Sequence, residues 1–197
     1  MRRHVILLAP IFLLLAACSS TPAADSDTTT EPAAAPSVSS QFVTSDCAVQ
    51  GGNPTPASVA PTGGITVSGV TVAQAKAPVV TIAPALPAVA DVQTKTLVAG
   101  KGAGLKSSDV LTFNYCGIGL VSQTQFDSSW ANGEPLTSDL AGLIPGWGVG
   151  MPGMKLGEQR LLIIPGALGY GPTPPVGSGI LPDESLVFVV ELVSIAK

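Results

Sequence analysis

The chain of 197 residues suffices for one domain of ordinary size or two very small ones. Only 11% of the residues are charged and 5% aromatic against 46% hydrophobic, with 22 Gly and 18 Pro, which disfavours a charged helical bundle or coiled coil and favours short strands with many turns. The formal net charge of -4 carries no basic excess, which argues against a nucleic-acid partner.

Met1, Arg2, Arg3 and His4 open the chain with a short positive stretch, followed by the apolar run Val5 to Leu15, small residues and a cysteine. This is the layout of a secretory signal peptide over residues 1–17. Its apolar run is shorter than the ~20 residues a spanning helix needs. Leu15-Ala16-Ala17-Cys18 resembles the lipobox of bacterial lipoproteins, which implies lipidation of Cys18 and cleavage before it; the alternative is an ordinary cleavage site beside a cysteine. Two or more acyl chains hold a protein stably on a membrane. The expected location is therefore the extracytoplasmic face of a bacterial cell membrane, by a lipid anchor. Cleavage would remove two arginines and His4, the only histidine, leaving seven Lys or Arg against 13 acids and a net charge of -6. Without an imidazole, a Ser-His-Asp triad, a Cys-His dyad and a histidine metal site are excluded. Neither a metal nor a cofactor is expected.

Residues 18–64 hold six prolines, fifteen Ser or Thr, four acids, no Lys or Arg, and Phe42 as the one aromatic. Such a stretch has too little apolar periodicity to offset chain entropy, so it reads as a disordered stalk, open to O-glycosylation. Cys47 interrupts that reading. With Cys18 lipidated, Cys47 and Cys116 remain in a compartment where disulfides persist, and pairing them would pin the end of the stalk to the domain; the alternative is two free thiols.

Residues 65–197 form the expected folded domain, long enough to bury one core. Val79 to Ile82, Val92 to Val98, Val110 to Tyr115, Leu161 to Ile164 and Leu186 to Val193 are β-branched or alternating and are separated by Gly, Pro, Asp and Ser, so they predict strands. In the third of these, Leu111, Phe113 and Tyr115 share one face; in the last, Leu186, Phe188, Val190 and Leu192 do. The other face of the last strand carries Val187, Val189 and Val193, and part of it is expected to lie under the N-terminal segment. One short helix is predicted from Pro145 to about Met151, because Pro is favourable at the first helical position and Pro152 stops the run. Gly146, Gly148 and Gly150 weaken it by up to about 1 kcal/mol each relative to Ala, so it needs tertiary packing, chiefly through Trp147.

From Val110 onward the sequence resembles the FKBP-type peptidyl-prolyl cis-trans isomerases. The resemblance runs through Val110-Leu-Thr-Phe-Asn-Tyr-Cys-Gly117, Phe126-Asp-Ser-Ser129, Leu143-Ile-Pro-Gly-Trp147 and Gly153-Met-Lys-Leu-Gly-Glu158. It continues through Ile163-Ile-Pro165, Gly169-Tyr-Gly171, Ile180-Leu-Pro182 and Leu186 to Leu192, in joint order over some ninety residues. It implies an α+β fold, a strongly bent antiparallel sheet wrapped around one short helix, with a substrate pocket between them. By the same resemblance Trp147 is the pocket floor, Tyr115, Phe126 and Phe188 are walls, and Leu143, Ile144 and Ile180 complete the lining. The backbone N–H of Ile144 and the Tyr170 hydroxyl would bond to ligand carbonyls, and Asp127 would make a polar contact within the cleft. Two departures stand out: Leu136 fills a wall position usually held by phenylalanine, and the loop 171–179 is rebuilt, with no residue in it assigned a role.

The function so implied is X-Pro isomerisation, which breaks amide resonance and needs neither nucleophile nor metal. The partners implied are proline-containing exported polypeptides, macrolide inhibitors and the membrane, with the protein a monomer. Three alternatives stand beside it. The aromatic residues could be ordinary core, the domain could be a peptide-binding or chaperone module without turnover, and a transporter's solute-binding lipoprotein would share the anchor but not this domain size.

Overall fold

The computed structural model describes residues 40–196; the expected signal peptide, the expected lipidation at Cys18 and the expected stalk up to residue 39 lie outside them. In chain order the strands are β1 (Phe42–Asp46), β2 (Thr55–Ala57), β3 (Ile65–Val67), β4 (Val70–Ala73), β5 (Val79–Ile82), β6 (Gln93–Val98), β7 (Val110–Gly119) and β8 (Gln125–Ser128). A one-turn helix α1 (Ser129–Asn132), β9 (Leu136–Asp139), α2 (Pro145–Gly150), β10 (Gln159–Ile164) and β11 (Leu186–Ala196) complete the chain.

Two antiparallel sheets result. The larger, six-stranded sheet runs β6-β10-β11-β7-β8, with β9 also paired to β7. β7 is long enough to hold both partners along one edge: Val110 to Phe113 pair with β9, and Cys116 to Ile118 pair with β8. The concave face of this bent sheet carries Leu111, Phe113, Leu162, Ile164, Leu186, Phe188, Val190 and Leu192, which pack with Trp147, Met151 and Met154. Period-2 alternation sends the intervening residues Leu161, Ile163, Val187, Val189, Cys116 and Ile118 to the opposite face. This explains why β10 and β11 read as continuous apolar runs: both of their faces are buried.

The second, five-stranded sheet, β2-β1-β5-β4-β3, covers that opposite face with Val70, Val72, Val80 and Ile82. Here the structure corrects the expected domain boundary. Residues 42–57, assigned to the stalk, form β1 and β2, and the folded unit begins well before residue 65. The strand predicted at Val79 to Ile82 belongs to this second sheet rather than to the bent one. Composition hid β1 because its stability comes from pairing with β5, Val43 opposite Ile82 and Ser45 opposite Val80, which no local pattern announces. The disulfide between Cys47 and Cys116, with Cα atoms 5.7 Å apart, ties this segment to β7. Val187 and Val189 are covered, whereas Val193, at a register shift in β11, is 46% exposed.

The single helix expected is α2, joined by the additional turn of α1. The glycines of α2 have a packing reason: a Cβ on Gly146 would strike Ile164 and one on Gly150 would strike Leu162, so their absence lets the helix lie directly on β10. Its C-terminal end is held by Arg160, whose Nη1 donates to the Gly150 carbonyl at 2.8 Å while its Nη2 pairs with Glu158 at 2.7 Å. That places Trp147 under the concave face.

Candidate functional site

Between α2, the concave face and the loops following β9 and β10 lies a mainly apolar pocket of about 370 Å³. Trp147 forms its floor, 3% exposed, with its ring edge-on to Phe188 at 5.1 Å and to Tyr115 at 5.8 Å. Phe126 stands edge-on to Phe188 at 5.6 Å and to Tyr170 at 6.4 Å. These T-shaped contacts set ring positive edges against ring faces and hold the walls upright. Leu136, Leu143, Ile144 and Ile180 complete the lining, so every residue expected at the pocket lies on it.

How β8 supplies two consecutive residues to one face is answered by its register. Asp127 pairs with Gly117 and Gln125 with Ile118, so Phe126 is the extra residue of a β-bulge. The bulge turns both Phe126 and Asp127 toward the pocket, while Gln125 and Ser128 point to the back. There Gln125 Nε2 donates to the Val49 carbonyl at 2.8 Å and Ser128 Oγ to the Cys47 carbonyl at 2.6 Å. On the pocket side, Gly117 leaves room for the rings of Phe126 and Phe188, which a Cβ at that position would strike.

Asp127 is the one charged side chain lining the pocket. Its carboxylate accepts from the Tyr115 hydroxyl and, at 3.3 Å, from Asn132 Nδ2 at the end of α1. α1 is begun by Ser128, whose Oγ accepts from Ala131 N, and ended by Gly133 in the left-handed region at φ 82°. Ser129 Oγ accepts from the Tyr115 N–H at 2.8 Å, fixing the strand beneath the ring. Burial pushes the Tyr115 hydroxyl well above the usual tyrosine range, reinforced by its hydrogen bond to Asp127, the charge there, and Tyr170. Tyr170 is raised by burial first and by the Asp127 charge second. Both hydroxyls therefore remain protonated donors at neutral pH.

Ile144 precedes α2 in extended backbone, φ -59° and ψ 147°, and its carbonyl accepts from the Trp147 N–H at 3.0 Å. Its own N–H has no acceptor among the described residues. Leu136 is 40% exposed on β9, leaving that side of the pocket open to solvent. Gly142, Pro175 and Ser178 also line the pocket and were not foreseen. For the latter two, their position between Tyr170 and Ile180 was the available signal. Gly142 follows Asp139, whose Oδ1 accepts from its N–H at 2.7 Å, a turn closure legible only once β9 is known. The site thus offers an apolar floor and walls, a carboxylate at one side, and a phenolic hydroxyl and a backbone N–H free to donate.

A family model described as FKBP-type peptidyl-prolyl cis-trans isomerase matches residues 102–193. A probable FK506-binding protein of Corynebacterium glutamicum is 38% identical over 112 residues, which span 56% of this chain and 92% of that protein. The outer membrane protein MIP of Legionella longbeachae is 38% identical over 105 residues, 53% of this chain and 44% of that protein. Among solved structures, the N-terminal domain of FKBP42 from Arabidopsis thaliana superposes with a TM-score of 0.52 at 21% identity, covering 55% of this chain and 89% of that one, a likeness of fold.

Proposed function

The chain belongs to the FKBP-type peptidyl-prolyl cis-trans isomerase family, and from that premise we propose that its pocket takes up the X-Pro segment of exported polypeptides and catalyses rotation about the X-Pro amide. The observation that carries this reading is the convergence of Trp147, Tyr115, Phe126 and Phe188 on one apolar pocket rimmed by donors. The proline ring lies on Trp147 between the aromatic walls. Twisting the amide breaks its resonance and leaves the carbonyl dipole free to turn. The Ile144 N–H and the Tyr170 hydroxyl bond the carbonyls flanking the twisted bond. These contacts favour the twisted over the planar amide and so lower a barrier of about 18–20 kcal/mol. A thousandfold acceleration needs about 4 kcal/mol of such preference. Asp127, held by Tyr115 and Asn132, keeps the polar side of the pocket fixed while the bond rotates.

Lipidation at Cys18 places this activity on the outer side of a bacterial membrane, where X-Pro steps of newly exported chains otherwise take tens to hundreds of seconds. The relative in Legionella longbeachae, named as an outer membrane protein, supports an extracytoplasmic setting. Globomycin treatment or Cys18→Ser should leave the precursor unprocessed; unchanged processing with a soluble product refutes the anchor. The open wall at Leu136 favours a second reading, peptide binding without turnover. A proline-isomerisation assay on the full chain decides between them, with Trp147→Leu and Tyr170→Phe as controls. Acceleration lost in the Trp147 variant supports the enzyme; an uncatalysed rate with retained macrolide binding supports the binding module.

A further inference from the structure

Glu184 lies outside the pocket, immediately before β11, and is 5% exposed. Its carboxylate is satisfied entirely by backbone: Oε1 accepts from the N–H groups of Val121 at 2.9 Å and Ser122 at 2.6 Å, and Oε2 from that of Leu181 at 2.8 Å. Among the described residues no Lys or Arg pairs with it. The first two donors sit in the β7–β8 turn, which leads directly into Phe126. The third follows Ile180, the residue that closes the opposite side of the pocket. Apart from Gly171 N to the Gly166 carbonyl and Glu184 N to the Leu181 carbonyl, which hold the two ends of residues 171–183, the remaining hydrogen bonds of that segment close inside it, Asp183 N to the Gly171 carbonyl, Ser178 N to the Pro175 carbonyl and Ile180 N to Ser178 Oγ; none of these reaches the β7–β8 turn. Across to the β7–β8 turn no hydrogen bond joins Gly179 and Thr124; only a Cβ added at Gly179 would come into van der Waals contact with the Thr124 methyl.

Resting on the isomerase reading, we propose that Glu184 is a positioning residue that sets the width of the proline pocket by tying the Ile180 segment to the turn that delivers Phe126. A charged acceptor holding three amide donors forms hydrogen bonds stronger than neutral ones, and each donor is fixed by the same two oxygens. The two pocket walls therefore cannot separate without breaking a buried charge-assisted bond. This tie acts on substrate and twisted amide alike, so it governs binding more than turnover.

Glu184→Gln is the sharpest perturbation because it keeps size and shape. The amide oxygen can serve one of the two segments, and the NH₂ group then meets the other segment's N–H donor to donor. For a chromogenic Ala-Leu-Pro-Phe anilide we expect KM to rise about tenfold, with kcat within about twofold of wild type, since tenfold corresponds to about 1.4 kcal/mol. Amide exchange at Leu181 should accelerate in parallel. Glu184→Asp keeps the charge but loses reach, and should raise KM as well; it serves where the Gln variant is poorly folded. Ser185→Ala, which removes a buried acceptor of the Val89 N–H at 3.1 Å, is the control for stability alone and should lower the melting temperature with KM unchanged. Unchanged KM and unchanged Leu181 exchange in both Glu184 variants overturn the proposal. Should the wild type show no turnover, the isomerase reading fails separately, and quenching of tryptophan fluorescence by the same peptide, in a Trp130→Phe background that leaves Trp147 as the one tryptophan, tests the tie: a tenfold weaker Kd in Glu184→Gln supports it, an equal Kd refutes it.

Discussion

Replacing Cys47 and Cys116 together by alanine removes the cross-link while avoiding buried hydroxyls. The two cysteines are 69 residues apart in sequence, so in the chain-entropy account the disulfide denies the unfolded chain a loop whose closure is worth about 4 kcal/mol. For a domain of this size each kcal/mol shifts the midpoint by roughly 2–4 °C, so the double variant should melt about 12 °C below wild type. Both sulfurs are buried, so adding reductant to the folded protein is a poor substitute for the variant. Thermal unfolding followed by circular dichroism at neutral pH is the assay, with the disulfide of the wild type checked by mass before and after reduction. The cross-link joins the turn after β1 to the strand carrying Tyr115, so the second sheet should lose its order first, reported by amide exchange at Thr44 and Thr81 ahead of Leu162 and Phe188. A midpoint within about 3 °C of wild type, or simultaneous loss of both sheets, would refute the view that the bridge holds the N-terminal sheet to the pocket strand.

Further outcomes follow from the packing. Gly146→Ala and Gly150→Ala should each destabilise by about 1–3 kcal/mol in denaturant unfolding because they push α2 off β10, whereas Gly148→Ala, with open space around its Cβ, should stabilise by up to about 1 kcal/mol. Gly117→Ala should press on Phe126 and Phe188, lowering kcat/KM with a smaller effect on the melting temperature, measured on the same peptide substrate. Tyr115 and Tyr170 are the two tyrosines of the sequence, and both are raised above the usual value of 10. Absorbance near 295 nm should therefore show less than half of the tyrosine ionised at pH 10 in the folded protein. Unfolded tyrosines release protons from about pH 10 while the folded ones retain theirs, so stability from this source is intact below pH 10 and declines as pH rises further.

The pocket was legible because its residues are large, aromatic and arranged in a recognisable order, and β7 announces itself by alternation, β10 and β11 by short apolar runs bounded by turn residues, and α2 by Pro145. The second sheet was not. β1 and β2 are short, Thr- and Pro-containing, β1 stabilised by β5 some forty residues away and β2 in turn only by β1; only Cys47 signalled that this stretch had somewhere to go. The bulge at Phe126 was equally hidden, since strict alternation would have sent Phe126 and Asp127 to opposite faces. Pro175 and Ser178 reach the pocket through loop geometry that composition does not specify.

The burial of both faces of β10 and β11 bears on how such chains diverge. Residues 102–193 by themselves would present Ile118, Leu161, Ile163, Val187 and Val189 to water, a contiguous apolar surface that a free-standing domain could not keep. A relative without the N-terminal sheet must place polar side chains at these positions or recruit another cover. The alternation on the last two long strands is thus a diagnostic of architecture upstream: apolar on both faces predicts a lid encoded before the isomerase region, and polar on every second residue predicts that none is needed.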